Sequence, residues 1–242
     1  MAYTFDGVND VITATITAVD TGDWTIGAWM NPESRGQADA GRVISISSAS
    51  NTLQEMQIDE DGTAIIEVMQ DYNTTNANAE GDDAFNLNEW TIVFATFTES
   101  TKRCAIYTGT LTTPVTALPL SVDVAGVGTR QTGGVTARIG NDRAEDNTFD
   151  GRLAGAFFAK RLLTLADMER IRLGERIYPD TTNLAGYWTL DADAKDRSGN
   201  GADGTVSGAV LSDGPGLASA AVSATSLTAT AVNPTSLTLT AL

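Results

Sequence analysis

Short segments in which apolar and polar residues alternate recur along most of this chain, and turn-forming residues separate them. A period of two places successive side chains on opposite faces of a strand, so each segment is predicted to bury one face. Many short strands at this spacing are typical of an antiparallel sandwich or barrel. The predicted strands are Val11–Ile16, Trp24–Met30, Arg42–Ser47, Leu53–Ile58, Thr63–Met69, Trp90–Phe97, Arg103–Tyr107, Val135–Ile139, Arg152–Phe158, Gly186–Leu190 and Thr205–Leu211.

Two local motifs predict how strands are connected. Asp61-Gly62 stands between two predicted strands, and this pair favours a tight hairpin turn because glycine adopts positive φ without steric cost. Thr164-Leu-Ala-Asp167 has the pattern of a helix N-terminal capping box, with Asp in place of the usual Glu. It predicts a helix of about ten residues that ends near Gly174.

Composition limits the chemistry that the chain can perform. With 242 residues, 42% of them hydrophobic, the chain can bury a substantial core. Its formal net charge of −16 disfavours nucleic acid and anionic membranes as partners, because binding either requires basic patches. The sequence contains no histidine, which excludes serine-protease and histidine-zinc chemistry. Cys104 is the sole cysteine and is expected to be a buried structural thiol, since no histidine can activate it.

The first residues of the chain lack the basic and apolar regions of a signal peptide. No apolar run elsewhere is long enough to cross a bilayer. We therefore expect a protein that is made in a cytoplasm and does not leave it by a signal peptide.

The end of the sequence differs from the rest, because no charged residue occurs from Gly214 onward. Thr225–Val232 and Thr235–Leu242 repeat each other, and both alternate Thr with apolar residues, which predicts two strands separated by Asn233-Pro234. An uncharged β-prone segment aggregates unless another surface covers it. We therefore expect a sandwich domain over residues 1–216 and an attachment arm over 217–242. The side chains predicted to bind a partner by strand addition are Leu227, Val232, Leu237, Leu239 and Leu242.

Several motifs, in order, resemble a known family. Tyr3–Asp10 followed by Trp24–Met30 is similar to the opening of a laminin G-like, concanavalin A-like domain. Phe149–Phe158 and the short helix after it resemble a late strand and helix of that family. Gly186–Asp191 with Asp196–Gly204 resembles an element that usually precedes the first strand, and a sandwich whose ends lie close together tolerates this permuted order. The resemblance implies an all-β jelly-roll sandwich with one short helix.

The arrangement is also similar to virion proteins of tailed phages. Members of the family bind glycans, bind proteins, hydrolyse glucans or occupy a place on a particle, and the fold alone does not decide among these roles. With the arm, the resemblance implies a non-enzymatic virion protein made in a host cytoplasm, first of all a capsid decoration or cement protein. Its partners would be the major capsid protein or another virion protein, and further copies of itself. A trimer would suit such an arm, because several weak attachments together gain effective concentration.

The alternative is a glycan-binding module of a tail fibre or spike that recognises a cell-surface receptor. Tyr72–Asn78 is the candidate loop for this role, because it carries a ring beside side-chain amides. Tyr72, Asn73 and Asn76 are the candidate glycan-binding residues. The chain's four tryptophans are expected in the core, because all of them lie within or at the edge of predicted strands: Trp24, Trp29, Trp90 and Trp188.

A glucan hydrolase on this fold would need two closely placed carboxylates. In the nearest candidate segment, Glu55 and Asp59 would share one face of a strand. Gln57 occupies the place of the central acid, and Asp61-Gly62 is explained better as a hairpin turn. We therefore predict no catalytic residues.

Calcium is the one ion that the sequence suggests, and no cofactor is required. Asp196, Ser198 and Asn200 have the spacing of oxygen ligands in a calcium loop, but the glutamate expected at its twelfth position is missing. The same residue types form ordinary turns, which is the alternative interpretation. Asn141-Asp142 with Asp146-Asn147 forms a second acidic loop that is open to the same two interpretations.

Overall fold

The computed structural model describes residues 1–58, 64–175 and 183–216, together with the strands 230–233 and 236–238. The strands are β1 (Ala2–Asp6), β2 (Val11–Thr15), β3 (Trp24–Pro32), β4 (Arg42–Ser47), β5 (Thr52–Ile58), β6 (Ile66–Gln70), β7 (Ala77–Gly81), β8 (Thr91–Thr98), β9 (Arg103–Thr110), β10 (Thr116–Ala117), β11 (Val122–Val124), β12 (Thr136–Ile139), β13 (Asp150–Ala159), β14 (Leu184–Trp188), β15 (Thr205–Ser207), β16 (Val210–Ser212), β17 (Thr230–Asn233) and β18 (Ser236–Thr238). A 3-10 turn covers Gln37–Asp39, and one helix, α1, covers Leu165–Arg172 within the described ranges.

Two antiparallel sheets of eight strands form a sandwich, which confirms the predicted all-β architecture. Sheet I has the order β10-β9-β8-β3-β13-β1-β16, with β14 also paired to β13. Sheet II has the order β11-β7-β6-β5-β4-β12-β2-β15. The chain crosses between the two sheets repeatedly, so each sheet is assembled from strands distant in sequence.

The last strands of the sandwich complete both sheets beside the first strands. β16 pairs with β1, where Ala2 lies opposite Ser212, and β15 pairs with β2. The permuted place of Gly186–Asp191 and Asp196–Gly204 relative to the family lies beyond the matched residues 6–168 and stays a prediction. The prediction of one continuous strand over Thr205–Leu211 is wrong. The chain turns at Gly208, which has a φ of 79°, and β15 and β16 belong to different sheets.

The core between the sheets is centred on Trp24, which is fully buried. Its indole stacks on Phe97 with a centroid distance of 5.8 Å and meets Phe158 edge-on at 6.1 Å. The indole Nε1 donates a 2.9 Å hydrogen bond to Oε1 of Gln70 on β6, and the Gln54 amide donates to the same oxygen at 3.1 Å. A polar link therefore joins sheet I to sheet II inside the core.

The helix α1 begins as predicted. The Thr164 side chain accepts a hydrogen bond from the Asp167 backbone N–H, and the Asp167 carboxylate accepts one from the Thr164 N–H, which completes the capping box. Arg172 donates to the carbonyl oxygens of Thr110 and Leu111 at 2.9 and 3.1 Å and so fastens the end of the helix to β9. Met168 packs into a second apolar cluster, which covers the outer face of sheet I.

β17 and β18 form a two-stranded antiparallel sheet of their own. This confirms that the arm contains two strands, separated near Asn233. Val232 and Leu237 lie in these strands, whereas Leu227, Leu239 and Leu242 lie outside the described residues. The division of the chain at residue 216 and the pairing of the arm with a partner stay predictions. Along the described residues, no helix is long and apolar enough to cross a membrane.

Replacing Gln70 with Met should weaken the joint between the sheets. The substitution keeps the volume but leaves the Trp24 N–H and the Gln54 amide buried without their acceptor, so we expect a loss of about 2–4 kcal/mol in the free energy of unfolding. Urea denaturation measures it. Gln131→Met is the matched control, because Gln131 is only half-buried in a loop, and it should change stability by less than about 0.5 kcal/mol. Equal effects of the two substitutions would contradict the role of the link.

Candidate functional site

The candidate calcium residues form a loop whose carboxylate is already occupied by internal donors. Asp196 accepts hydrogen bonds from the backbone N–H groups of Tyr187, Ser198, Asn200 and Ala202 and from the Ser198 hydroxyl. Although burial alone would raise it, these hydrogen bonds, with that of the Ser198 side chain foremost, lower the pKa of Asp196. No cluster of three or more metal-ligating His, Cys, Asp or Glu side chains occurs in the described ranges. The geometry matches an Asx-type turn, and calcium binding stays a prediction.

The candidate glycan loop does not present an exposed ring. Tyr72 is 4% exposed and packs with Phe97 in the core, with a centroid distance of 6.4 Å. Asn73 Oδ1 accepts a hydrogen bond from the Thr129 N–H, and Asn76 Oδ1 accepts one from the Tyr72 N–H. Tyr72 is therefore a core residue, and glycan binding through the two amides stays a prediction.

Three of the four tryptophans lie in the core, as predicted. Trp24 and Trp188 are fully buried and donate to Gln70 and to the Ala202 carbonyl, respectively. Trp29 is also buried, but on the outer side of sheet I. Trp90 is half-buried there, and the Arg152 guanidinium lies 5.6 Å from its ring centre.

The outer face of sheet II carries a concentrated set of polar side chains. The strand register places Arg138, Ser45 and Glu55 in one row across β12, β4 and β5, and the row continues through Met69 of β6 to Asn78 of β7. A neighbouring row aligns Arg42, Gln57 and Glu67 across β4, β5 and β6. We call this surface the polar face of sheet II; its residues are Arg42, Ser45, Ser47, Glu55, Gln57, Glu67, Asn78 and Arg138.

Several residues of the polar face are buried although they point away from the core. Ser45, Glu55 and Gln57 are at most 7% exposed. The Ser45 hydroxyl donates to the Asn141 carbonyl at 3.0 Å, and Arg42 forms an isolated bridge with Thr148, so the 141–148 segment walls one side of the face. The polar face is therefore a depression in the surface and not a flat sheet.

Glu55 lies at the floor of this depression beside Arg42. The Arg42 Nε atom is 3.0 Å from Glu55 Oε2, and both side chains are largely buried. Burial raises the pKa of Glu55, and the nearby charges of Asp142 and Asp71 raise it further, while Arg42 offsets only part of the shift. The carboxylate is therefore held in place by its guanidinium partner at a site that otherwise favours the neutral acid.

Besides Arg42, whose Nε lies in the ion pair with Glu55, three side chains of the polar face carry a buried polar atom that has no hydrogen-bond partner in the described part of the chain. These atoms are Oε1 of Gln57, Oδ1 of Asn78 and Nε of Arg138. The other ends of the same side chains are held in place: Gln57 donates to Glu67, Asn78 donates to Glu80 at 3.1 Å, and the Arg138 guanidinium donates to Ser47 at 2.6 Å. The face thus combines fixed side chains with unused hydrogen-bonding capacity for both donors and acceptors.

The carboxylates of Glu55 and Glu67 on the polar face are engaged by neighbouring side chains. A glucan hydrolase needs two carboxylates at the reacting bond, one of them protonated as the general acid. Glu55 is paired with Arg42, Glu67 accepts from Gln57, and Asp59 lies outside the described residues. The Asp61-Gly62 turn also lies outside them, although the antiparallel pairing of β5 with β6 agrees with a hairpin at that point.

The fold and this polar face define a lectin-type β-sandwich, and the sequence gives the family. The family model described as the concanavalin A-like lectin/glucanases superfamily matches residues 6–168. The chain therefore belongs to this superfamily, as its laminin G-like motifs predicted. No curated protein matches the sequence significantly.

Solved structures with low sequence identity share the fold. A putative carbohydrate-binding protein from Bacteroides ovatus has a TM-score of 0.59 at 18% identity over 86% of this chain, which spans 58% of that protein's length. The heptameric SAP-like pentraxin from Limulus polyphemus has a TM-score of 0.55 at 17% identity, covering 74% of this chain and 84% of its own. The enzymatically active domain of tailspike protein 2 from bacteriophage CBA120 has a TM-score of 0.51 at 17% identity. The match covers 76% of this chain and 29% of the tailspike chain. At these identities the likeness shows the fold alone.

Removing the guanidinium of Arg42 should destabilise the protein in a pH-dependent way. Arg42→Met leaves Glu55 buried without its cation, so we expect a loss of about 3 kcal/mol at pH 7. A carboxyl whose pKa is raised in the folded state lowers stability as the pH rises through that pKa, so the loss should shrink toward pH 5. Urea denaturation at both pH values measures it.

The control for this prediction is an exposed ion pair. Arg170 pairs with Glu175, with side chains 62% and 46% exposed, so Arg170→Met should cost less than about 1 kcal/mol. Adding Glu55→Gln to Arg42→Met should recover most of the lost stability. If the loss of stability in Arg42→Met is the same at both pH values, this would contradict a raised pKa for Glu55 in the folded protein.

Proposed function

We infer that this protein is a non-enzymatic carbohydrate-binding module whose ligand lies on the polar face of sheet II. The observation that carries this function is the unused hydrogen-bonding capacity of Gln57, Asn78 and Arg138 inside a depression of the sheet. Sugar hydroxyls both donate and accept, so one ligand matches the amide oxygens and the guanidinium N–H together. The lectin-type fold supports the same class of ligand.

The charges of the site favour a neutral glycan. Arg42 is paired with Glu55, and Arg138 and Glu67 add one charge of each sign, so the residues of the polar face have no net formal charge. An anionic glycan would have to approach a protein whose formal net charge is −16. A neutral ligand avoids this long-range repulsion and relies on short-range hydrogen bonds.

Binding should depend on the two amides of the face. In a glycan array followed by calorimetry on the best glycan, Gln57→Ala and Asn78→Ala should each weaken binding about tenfold, because each removes an amide that hydrogen-bonds the sugar. The matched controls Gln131→Ala and Asn86→Ala change the same residue types away from the face and should leave affinity unchanged.

The same assay distinguishes the proposed function from calcium-dependent binding and from glycan cleavage. Binding should persist in a chelator, because Asp196 is already saturated by internal donors. Loss of binding in the chelator would instead favour a calcium-dependent site at Asp196, Ser198 and Asn200. Release of sugar products that disappears in Glu55→Gln would contradict the non-enzymatic function. If Gln57→Ala and Asn78→Ala bind the glycan as tightly as the unchanged protein does, the polar face is excluded as the site.

We further infer that the module is displayed on a virion, as a capsid decoration or cement protein or on a tail fibre or spike. The observation that favours this is the hairpin of β17 and β18, which forms a sheet of its own within an uncharged segment. A separate hairpin has edges that can pair with a second copy of the chain, with the major capsid protein or with another virion protein. Three arms acting together would gain effective concentration, which supports a trimer.

A charge placed in the hairpin should abolish attachment. Leu237→Lys introduces a cation into a segment that otherwise carries none, and burying it in a partner surface would cost several kcal/mol. We expect this variant, like deletion of 225–242, to stay folded and soluble but to be absent from sedimented virus particles. Val210→Lys is the control, because Val210 is 61% exposed on β16 of the sandwich. Normal incorporation of the Leu237→Lys protein would contradict the attachment role.

A further inference from the structure

A cavity of about 330 Å³ opens on the outer face of sheet I, the sheet opposite the polar face. Its walls include Trp29, Gly155, Tyr187, Thr189 and Asp191. The volume lies at the lower end of the range for small-molecule sites. It goes beyond the carbohydrate site proposed above, because it lies on the other sheet and shares none of its residues.

The cavity arises from a defect in the sheet. β1 pairs with β13 as far as Leu153, and β14 pairs with β13 from Ala156 onward. Between these two partners β13 contains a bulge, because its register against β3 shifts by one residue between Ala154 and Phe157. Gly155 within the bulge has a φ of 58° and donates its N–H to the Thr189 carbonyl at 3.0 Å. Bulges of this kind often redirect side chains beside functional sites.

The bulge leaves one buried donor unused. Trp29 is 2% exposed, and its indole Nε1 has no hydrogen-bond partner within the described residues. A Cβ atom placed on Gly155 would lie 3.8 Å from Trp29 Cδ1, the ring carbon next to Nε1, and both residues line the cavity. A buried indole N–H ordinarily has a partner, as those of Trp24 and Trp188 do here.

The remaining chemistry of the cavity indicates the ligand. The Asp191 carboxylate supplies acceptors, and the Thr189 hydroxyl fixes it with a 2.8 Å hydrogen bond. Tyr187 and Trp29 supply aromatic surface, Met1 also lines the cavity, and the charged side chain of the described lining is the Asp191 carboxylate, which repels an anion. A hydroxyl group accepts from an N–H and donates to a carboxylate at once, while the C–H face of a sugar ring packs on aromatic carbon. We propose that this cavity binds a single neutral monosaccharide unit, with Trp29 and Asp191 as its hydrogen-bonding residues.

The indole N–H signals of the full-length ¹⁵N-labelled protein provide a direct test. Glucose, galactose, mannose and N-acetylglucosamine are titrated separately to saturation or to high millimolar concentration. At least one sugar should shift the Trp29 Nε1 signal, assigned by its through-space contacts to Ala154, and leave those of Trp24 and Trp188 in place. If none of the four moves the Trp29 signal, the proposal is overturned.

Substitutions in the cavity test whether the shift of the Trp29 Nε1 signal comes from sugar bound there. Asp191→Asn should weaken the sugar affinity about tenfold, because it removes a charged acceptor, whereas the isosteric control Asp39→Asn should leave it unchanged. Gly155→Ala, which adds a methyl group beside the indole edge, should reduce the shift at a fixed sugar concentration. Gln57→Ala and Asn78→Ala should preserve it, so failure of this site and failure of the polar face are distinguishable. A Trp29 shift that survives Asp191→Asn with unchanged affinity would overturn the proposal.

Discussion

The hydrogen bond from Trp24 to Gln70 is the contact on which the geometry of both faces depends, because it joins the two sheets inside the core. Hydrophobic burial holds the sheets together without direction, whereas a buried donor and acceptor must meet at one relative position. Gln54 shares the same acceptor and ties β5, the strand that carries Glu55 and Gln57, to the link. The polar face of sheet II is thus built on a strand whose inner side is fixed by the core.

The two outer faces of the sandwich differ in what covers them. Helix α1 and its apolar neighbours cover much of sheet I, and the cavity at the β13 bulge opens on this face. Sheet II carries polar side chains on its outer face, walled by the 141–148 segment. A ligand at the polar face meets several strands at once, whereas a ligand at the bulge meets one small enclosed site.

The period-two pattern could predict most of the sandwich because core strands alternate apolar and polar residues. It missed β7, whose sequence Ala-Asn-Ala-Glu-Gly alternates correctly but consists of residues with weak strand preference. The family motifs supplied the fold class, a concanavalin A-like jelly roll. The polar face could not be predicted, since Ser45, Gln57 and Asn78 come together only through strand register. The period of two does place Trp29 on the face of its strand opposite to Trp24, but it could not show that the Trp29 N–H lacks a partner among the described residues.

The adjacency of β1 and β16 has a mechanical consequence. Ala2 lies opposite Ser212, so residue 1 and the beginning of the arm leave the sandwich at the same end of one antiparallel ladder. Tension between these two points would break the hydrogen bonds of the ladder one after another from one end. It would not load all of them together in shear. The edge of sheet I would therefore peel at low force and relieve the load before it reached Trp24.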